Sequence, residues 1–268
     1  MASGSAGWHQ VDSLLTIAGM SSAVDILQPH LLALQSDLWF GRLPAPLAAR
    51  LLEIAELRQL RDKQALFRRG DANSGLYCLL SGVMRVSGLT EAGKEAILTM
   101  LQPLSWFGEI GVFDGMPRTH DVVAEGPVTV LHLPQFELLN IVCDNPLYWR
   151  ELGLLMALKL RLAFVGMEDM ALQPAEARMA RRLVLLAHAG ADSPDAGRHS
   201  IGIKQEQLSL MLGLSRQTAN KILKGFEQDG AVRVAYGRIE VLDLARLKEL
   251  GGVSAQENAL TQARPGLL

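Results

Sequence analysis

The chain has 268 residues, 49% of them hydrophobic and 20% charged, with 26 Lys and Arg against 28 Asp and Glu for a net charge of −2. That length can bury a full core and leaves room for a second, while near-neutrality excludes a polycation and confines any nucleic-acid surface to a local patch. Two cysteines far apart, Cys78 and Cys143, argue against a disulfide framework and a cysteine-ligated iron–sulfur cluster, and suit a reducing cytoplasm.

The first residues, Met-Ala-Ser-Gly-Ser-Ala-Gly, lack the basic and apolar regions of a secretory signal. In an N-terminal extension over residues 1–36, Val24, Leu27, Leu31 and Leu34 fall at helical spacing, interrupted at Pro29, and predict a short docking helix. Residues 37–55 predict a second helix, with Trp39, Phe40, Leu43, Leu47 and Leu51 among its packing residues and Pro44 and Pro46 marking its start.

From 57 to 133, short apolar runs (76–80, 83–86, 97–101 and 128–133) alternate with turn signals at Arg69-Gly70-Asp71, Ser81-Gly82, Glu91-Ala92-Gly93-Lys94 and Asp114-Gly115. This rhythm predicts an antiparallel double-sheet roll over residues 37–144. Such a roll can also be a metal-dependent enzyme, but that needs converging His and carboxylate ligands. His120 and His132 stand isolated, so neither a metal nor catalysis is expected.

Within the roll, residues 106–119 read Trp-Phe-Gly-Glu-Ile-Gly-Val-Phe-Asp-Gly-Met-Pro-Arg-Thr. Gly108 lets the backbone approach a ligand closely, and the amides after it can face an anion. Glu109 can only accept hydrogen bonds, which suits a ribose hydroxyl. Arg118 offers a planar fork of donors matching a phosphate, and Thr119 adds a hydroxyl. On a short loop these groups, with the aliphatic Ile110 beside them, could hold a cyclic phosphate and its sugar. The bland alternative is a surface loop in which Glu109 and Arg118 pair only with each other.

Residues 134–142 predict a short helix, and Asp144-Asn145-Pro146 starts a long one over 147–170, roughly 36 Å at 1.5 Å per residue. Its run 152–165 is broken by Lys159 and Arg161 and is too short to span a bilayer, so no membrane partner is expected. One apolar stripe comprises Trp149, Leu152, Met156, Leu160, Ala163 and Met167; a second comprises Leu155, Leu158, Leu162 and Val165. Two greasy faces need two things to pack on. The economical arrangement sets one face on the roll and the first stripe on a symmetry mate in a homodimer; the alternative is a helix buried within one chain. Gln173-Pro174 ends this segment, 145–172, as a hinge. Residues 175–189 predict another helix, and 190–198 a loop.

The last unit, 173–250, holds a short strand at 201–203, a helix at 204–212, a turn at Gly213 and a second helix capped by Ser215. Leu208, Leu212, Leu214, Ala219, Ile222 and Leu223 face inward, leaving Arg216, Gln217, Asn220, Lys221 and Lys224 outward. Arg and Lys suit guanine edges or phosphates, Gln and Asn adenine or phosphate. A hairpin follows as a wing with Arg233 and Arg238 near its tip, and residues 251–268 form a tail.

Two stretches carry a family resemblance. The run Phe-Gly-Glu-Ile to Pro-Arg-Thr resembles the phosphate-binding cassette of cyclic-nucleotide-binding domains. Residues 207–223, Gln-Leu-Ser-Leu-Met-Leu-Gly-Leu-Ser-Arg-Gln-Thr-Ala-Asn-Lys-Ile-Leu, closely resemble the winged helix-turn-helix of the cyclic AMP receptor protein/FNR (Crp/Fnr) family of bacterial transcription regulators. The resemblance covers residues 37–250, with both domains in the family's order. It implies an α+β fold of β-roll, long dimerisation helix and winged helix-turn-helix, in a cytoplasmic homodimer that binds palindromic double-stranded DNA and admits RNA polymerase as a further partner; groove docking by the archetype is a standard case.

By position, Gly108, Glu109, Arg118 and Thr119 match the family's phosphate and ribose contacts, with Ile110 in the same candidate ligand set, and Arg216, Gln217 and Lys221 match its base-reading residues, with Ser215, Asn220, Lys224 and Arg238 beside them. Gln217 replaces a glutamate of the archetype, which implies a different preference at one base pair. Where the archetype reads the base with hydroxyls from the long helix, this chain carries Ala163, with no hydrogen bond to give, and Phe164, which can stack on a purine or fill the pocket. Three effector states therefore stay open: cyclic AMP or cyclic GMP held by phosphate and sugar, cyclic di-GMP, or no nucleotide. Two functions also stay open, a DNA-binding regulator and a nucleotide sensor acting on a protein partner.

Overall fold

The computed structural model describes residues 21–89, 95–189, 199–235 and 237–253. The turn at 91–94, the loop at 190–198 and Tyr236 of the wing lie outside the described residues. Helix α1 (Ser21–Ser36) runs through Pro29 and buries Leu27, Leu31 and Leu34, as its spacing predicts; the side chain of Val24 is outside the described set.

The helix expected over 37–55 is shorter than predicted. Phe40–Arg42 is a single 3-10 turn, Leu43 is extended, and α2 begins at Ala45 with Pro44 as its N-cap. The cause is local: a residue before proline is pushed out of the helical region, so Leu43 cannot continue the turn. Asp37 organises this corner. Its Oδ1 accepts from the amides of Trp39 (3.1 Å) and Phe40 (2.6 Å) and from Nε1 of Trp106 (3.2 Å), while Trp39 Nε1 donates to the Glu151 carbonyl at 2.8 Å. One buried carboxylate thus ties the N-terminal segment to the strand that leads into the cassette.

The roll is two four-stranded antiparallel sheets. One has the order β1 (Glu56–Leu60), β8 (Val128–Pro134), β3 (Gly75–Ser81), β6 (Trp106–Phe107); the other β2 (Ala65–Phe67), β7 (Asp121–Ala124), β4 (Met84–Leu89), β5 (Glu95–Leu101). Tyr77, Leu79, Met84, Phe107, Val122 and Val130 fill the space between them. Periodicity found β3, β4, β5 and β8 because these are apolar runs. It missed β2, β6 and β7, which are two to four residues long, and β1, whose Glu56, Arg58 and Gln59 carry no apolar alternation.

The cassette is not only a loop. After Gly108 the chain turns into helix α3 (Glu109–Asp114), with Gly115 closing it. Helix α4 (Gln135–Asp144) then leads to α5 (Tyr148–Leu172), whose 25 residues extend about 37 Å. No helix of the described residues is long and apolar enough to cross a membrane.

Helix α6 (Ala175–Ala189), β9 (His199–Ile201), α7 (Gln205–Leu212), α8 (Arg216–Gln228), the hairpin β10 (Val232–Ala235) and β11 (Arg238–Val241), and α9 (Leu244–Leu250) build the second unit. Its core of Leu183, Leu208, Leu223 and Phe226 continues onto Ile97 and Met100 of β5, and Arg182 Nη2 donates to the Leu98 carbonyl at 2.8 Å. The two units therefore share an apolar seam.

Candidate functional site

Two glycines set the cassette's shape. Gly108 has φ +95, and a Cβ there would meet Arg118 Nη1 at 2.7 Å and the Gly75 carbonyl at 2.8 Å, so only glycine lets the guanidinium close over the backbone. Gly111 allows the side chain of Asn73 to lie against α3, where a Cβ would sit 2.6 Å from it. Glu109 and Arg118 are the two charged groups brought inside, at 4% and 6% exposure.

They do not pair with each other in the way the bland alternative requires. Glu109 Oε2 accepts from Lys159 Nζ of α5 at 2.7 Å. Arg118 Nη1 donates to the Gly108 carbonyl (3.1 Å), and Nη2 donates to Ser74 Oγ (3.1 Å) and the Gly75 carbonyl (2.8 Å). Its guanidinium lies 4.3 Å over the ring of Phe67 and 5.5 Å from that of Tyr77. A guanidinium has five N–H groups. Three are used here, and buried Nε finds no acceptor among the described residues. Burial pulls the Arg118 pKa below the ordinary guanidinium value, with Tyr77, Glu109 and Asp71 opposing it. A buried cation held by neutral oxygens, with an unfilled donor, has the chemistry to take an anion.

The other predicted ligand residues stand apart from this pair. Ile110 and Thr119 are exposed, and Thr119 Oγ1 meets His120 Nδ1 at 2.9 Å. Burial lowers the pKa of His120, and Arg69 adds to the effect. Phe164 lies on the exposed face of α5, so the α5 residue that reaches Glu109 is Lys159, which spacing alone treated as an interruption of an apolar run.

The stripe proposed for a symmetry mate needs correction. Leu152 is buried in the chain's own core, and Trp149 packs on that core with its ring 5.2 Å from Phe113. Met156 is half-buried, whereas Leu160, Ala163 and Met167 are exposed. The outward apolar line of α5 is Leu154, Leu160, Phe164, Met167 and Met170. Periodicity finds two apolar faces but not where the boundary between them falls, and the predicted stripe straddles it.

In the second unit, Gly213 takes φ +64 as the cap of α7, and Leu214 N donates to the Ser209 carbonyl at 2.9 Å. Ser215 caps α8, its Oγ accepting from Thr218 N at 3.0 Å. With Leu208, Leu212, Ala219 and Leu223 buried, Ser215, Arg216, Gln217, Asn220, Lys221, Lys224 and Arg238 are all exposed. Arg216 Nη2 meets Glu206 Oε2 of α7 at 2.6 Å, a contact the sequence reading missed. Arg238 sits at the wing turn as expected. Arg233 does not: it is the second residue of β10, paired with Glu240 across the hairpin, and both arginines reach Glu240, at 3.4 Å and 3.1 Å.

A roll whose buried Arg118 and Glu109 are tied to a long helix, followed by a winged helix-turn-helix, has the architecture of a ligand-responsive transcription regulator. Comparison with known proteins agrees: residues 57–145 match the cyclic nucleotide-binding domain and residues 177–250 the Crp-like helix-turn-helix domain. The chain is 28% identical over 183 residues, 68% of its length and 82% of the relative's, to the CRP-like cAMP-activated global transcriptional regulator of Mycobacterium tuberculosis. It is 29% identical over 185 residues, 69% of its length and 83% of the relative's, to the cyclic AMP receptor protein of Thermus thermophilus. The fold matches FixK2 from Bradyrhizobium japonicum with a TM-score of 0.68 at 20% identity, covering 75% of this chain and all of that one. It also matches the c-di-GMP responsive regulator CLP of Xanthomonas campestris at 0.58 and 19% identity, over 74% and 98%. The chain belongs to the Crp/Fnr family of transcriptional regulators.

Proposed function

We propose that the protein is a cytoplasmic homodimeric regulator, not an enzyme, in which a cyclic nucleotide at the cassette changes the affinity of two α8 helices for a palindromic operator. In this reading residues 37–144 sense, 145–172 dimerise and transmit, and 173–250 read DNA, with RNA polymerase as a further partner. Arg118 is the phosphate anchor, with Gly108 and Glu109 beside it. The exposed line from Leu154 to Met170 packs on its symmetry mate.

The observation that carries this reading is the Lys159–Glu109 pair, at 6% exposure for the Glu109 side chain. It fastens the cassette to the middle of α5. A sugar hydroxyl competing for Glu109 must weaken that link, so ligand affinity differs between arrangements of the helix, which is the requirement for any switch. Buried Arg118 Nε, lacking an acceptor among the described residues, supports an anionic effector. Cyclic AMP or cyclic GMP held by phosphate and sugar fits this donor set. Cyclic di-GMP is the second candidate, because Ala163 gives no hydrogen bond and the ring of Phe164 is exposed for stacking.

Calorimetry with cyclic AMP, cyclic GMP and cyclic di-GMP on wild type, Arg118→Ala and Arg118→Lys tests the anchor. Heat lost in both variants supports it, since lysine keeps the charge but not the fork; equal heats in all three proteins overturn it. Duplex binding across a salt series, with and without nucleotide, separates a DNA regulator from a sensor that acts on a protein, because phosphate neutralisation gives a steep salt slope.

A further inference from the structure

His132 belongs to neither site as described, yet it is 2% exposed and hydrogen-bonded on both ring nitrogens. Nε2 lies 2.7 Å from the Ser74 carbonyl, and Nδ1 lies 3.1 Å from Glu56 Oε2. Both partners are acceptors. A neutral imidazole has one N–H and can satisfy one of them; only the imidazolium donates to both.

Strand register explains why the ring is there. Glu56 pairs with His132 across β1 and β8, His132 with Tyr77 across β8 and β3, and Tyr77 with Phe107 across β3 and β6. The row lies on one face of one sheet. The imidazole stacks on Tyr77 with centroids 4.5 Å apart and 19° between planes. Tyr77 Oη meets Ser74 Oγ at 2.9 Å, and Ser74 Oγ and the Gly75 carbonyl receive Nη2 of Arg118. A continuous chain of contacts thus runs from a carboxylate at the sheet edge, through His132 and the Ser74–Gly75 turn, to the anion-binding guanidinium.

We propose that His132 is a pH-responsive positioning residue for the cassette: charged, it clamps the Ser74–Gly75 turn that holds Arg118 and favours an anionic effector, and on losing its proton it relaxes that hold. The inference rests on the reading of Arg118 as an anion anchor. The charged and titratable groups facing the ring are Glu56 and, behind it, Arg58 on β1, Tyr77 on β3, and Arg118 on the far side of Tyr77. The Glu56 carboxylate faces Nδ1 as an acceptor. The hydrogen bond from His132, then Arg58, keeps the Glu56 carboxyl below its usual range against modest burial. Imidazoles change charge between about pH 5 and 8. Deprotonation leaves a ring lone pair facing an oxygen and removes a positive charge from the neighbourhood of Arg118.

The test is cyclic AMP affinity by calorimetry from pH 5.5 to 8.5 on wild type, His132→Gln and Glu56→Gln. Wild type should bind on the order of fivefold more tightly at the acid end, the size expected for one partly screened charge. His132→Gln should flatten the profile. Glu56→Gln, a surface change that keeps an acceptor at Nδ1 but removes its charge, should weaken the dependence without abolishing it. His120 is present in all three proteins, so its contribution subtracts. In parallel, the Nε–Hε resonance of Arg118 followed by NMR without nucleotide should move with pH in wild type and stand still in His132→Gln. A His132→Gln protein that keeps the wild-type slope, or a stationary Arg118 signal in wild type, overturns the proposal. Should cyclic AMP bind at no pH, the effector reading fails, and the ligand-free resonance alone decides the relay.

Discussion

The two arginines at the working ends of the molecule are set in opposite ways. Arg118 is buried under two aromatic rings, with three of its N–H groups committed to oxygens of the same fold. Arg216 stands in solvent, tied among the described residues to Glu206 alone. A small anion must be recognised by groups already in place, because it brings little binding surface with which to order them. A duplex offers a high charge density along a groove, so its reader can keep its cations mobile and let attraction to phosphates gather them. Substitutions at the two ends should therefore fail differently.

The largest effect belongs to Arg118→Ala. Gly108 and Gly75 lose the guanidinium donor to their carbonyls, while Ser74 Oγ keeps Tyr77 Oη, and each buried group left unpaired costs about 1–3 kcal/mol. We expect a loss of stability on the order of 3 kcal/mol, read as a lower denaturation midpoint, together with loss of nucleotide binding. A variant as stable as wild type would place Arg118 on the same footing as Arg216.

The contrast also explains what was legible in the residues. The reading helix is fixed by local rules: Gly213 at a left-handed cap, Ser215 as an N-cap, apolar residues at helical spacing. Its exposed face follows almost completely from that pattern. At the cassette, Gly108, Glu109 and Arg118 were legible as types at a spacing, but their partners were not. Lys159 is 50 positions from Glu109 and Ser74 is 44 from Arg118. Those contacts depend on how sheets and α5 stack, and periodicity carries no signal for that. The same ignorance put Leu152 on the wrong side of α5, made 37–43 part of a helix that Pro44 forbids, and left His132 as an isolated imidazole.

A second buried charge gives a pH effect with a definite sign. Burial raises the Asp37 pKa from 3.8 to about 6, against the hydrogen bonds from Phe40, Trp106 and Trp39. The folded value exceeds the unfolded one, so this group's stabilisation is full below about pH 4 and is lost as pH rises through about 6. Asp37→Asn keeps an acceptor for the three donors and removes the ionisation. Urea midpoints measured between pH 4 and 7 should fall with rising pH in wild type and less steeply in the variant; parallel profiles would contradict the assignment.

At the DNA end, Arg216→Ala should cost on the order of 1–3 kcal/mol on the best operator and relax the preference at one base pair, with stability unchanged. A binding profile across operator variants identical to wild type would remove Arg216 from the reading role.

The smallest effect sharpens the comparison most. Glu206 and Arg216 are both exposed, at 56% and 71% of their side chains, so their pair adds little to the fold, within about 0–1 kcal/mol. In the proposed reading it engages a guanidinium that would otherwise be free to meet a base edge, and it sets a carboxylate on the face that would approach the phosphates. Glu206→Gln should leave the denaturation midpoint in place and tighten duplex binding, by no more than about fivefold, because an exposed pair has no more than that to release. The gain should vanish in an Arg216→Ala background, since a double-mutant cycle isolates the coupling between the two. If the gain persists there, Glu206 acts by repelling phosphate directly. If the midpoint falls instead, Arg216 is a structural arginine like Arg118, and the contrast between the two ends is lost.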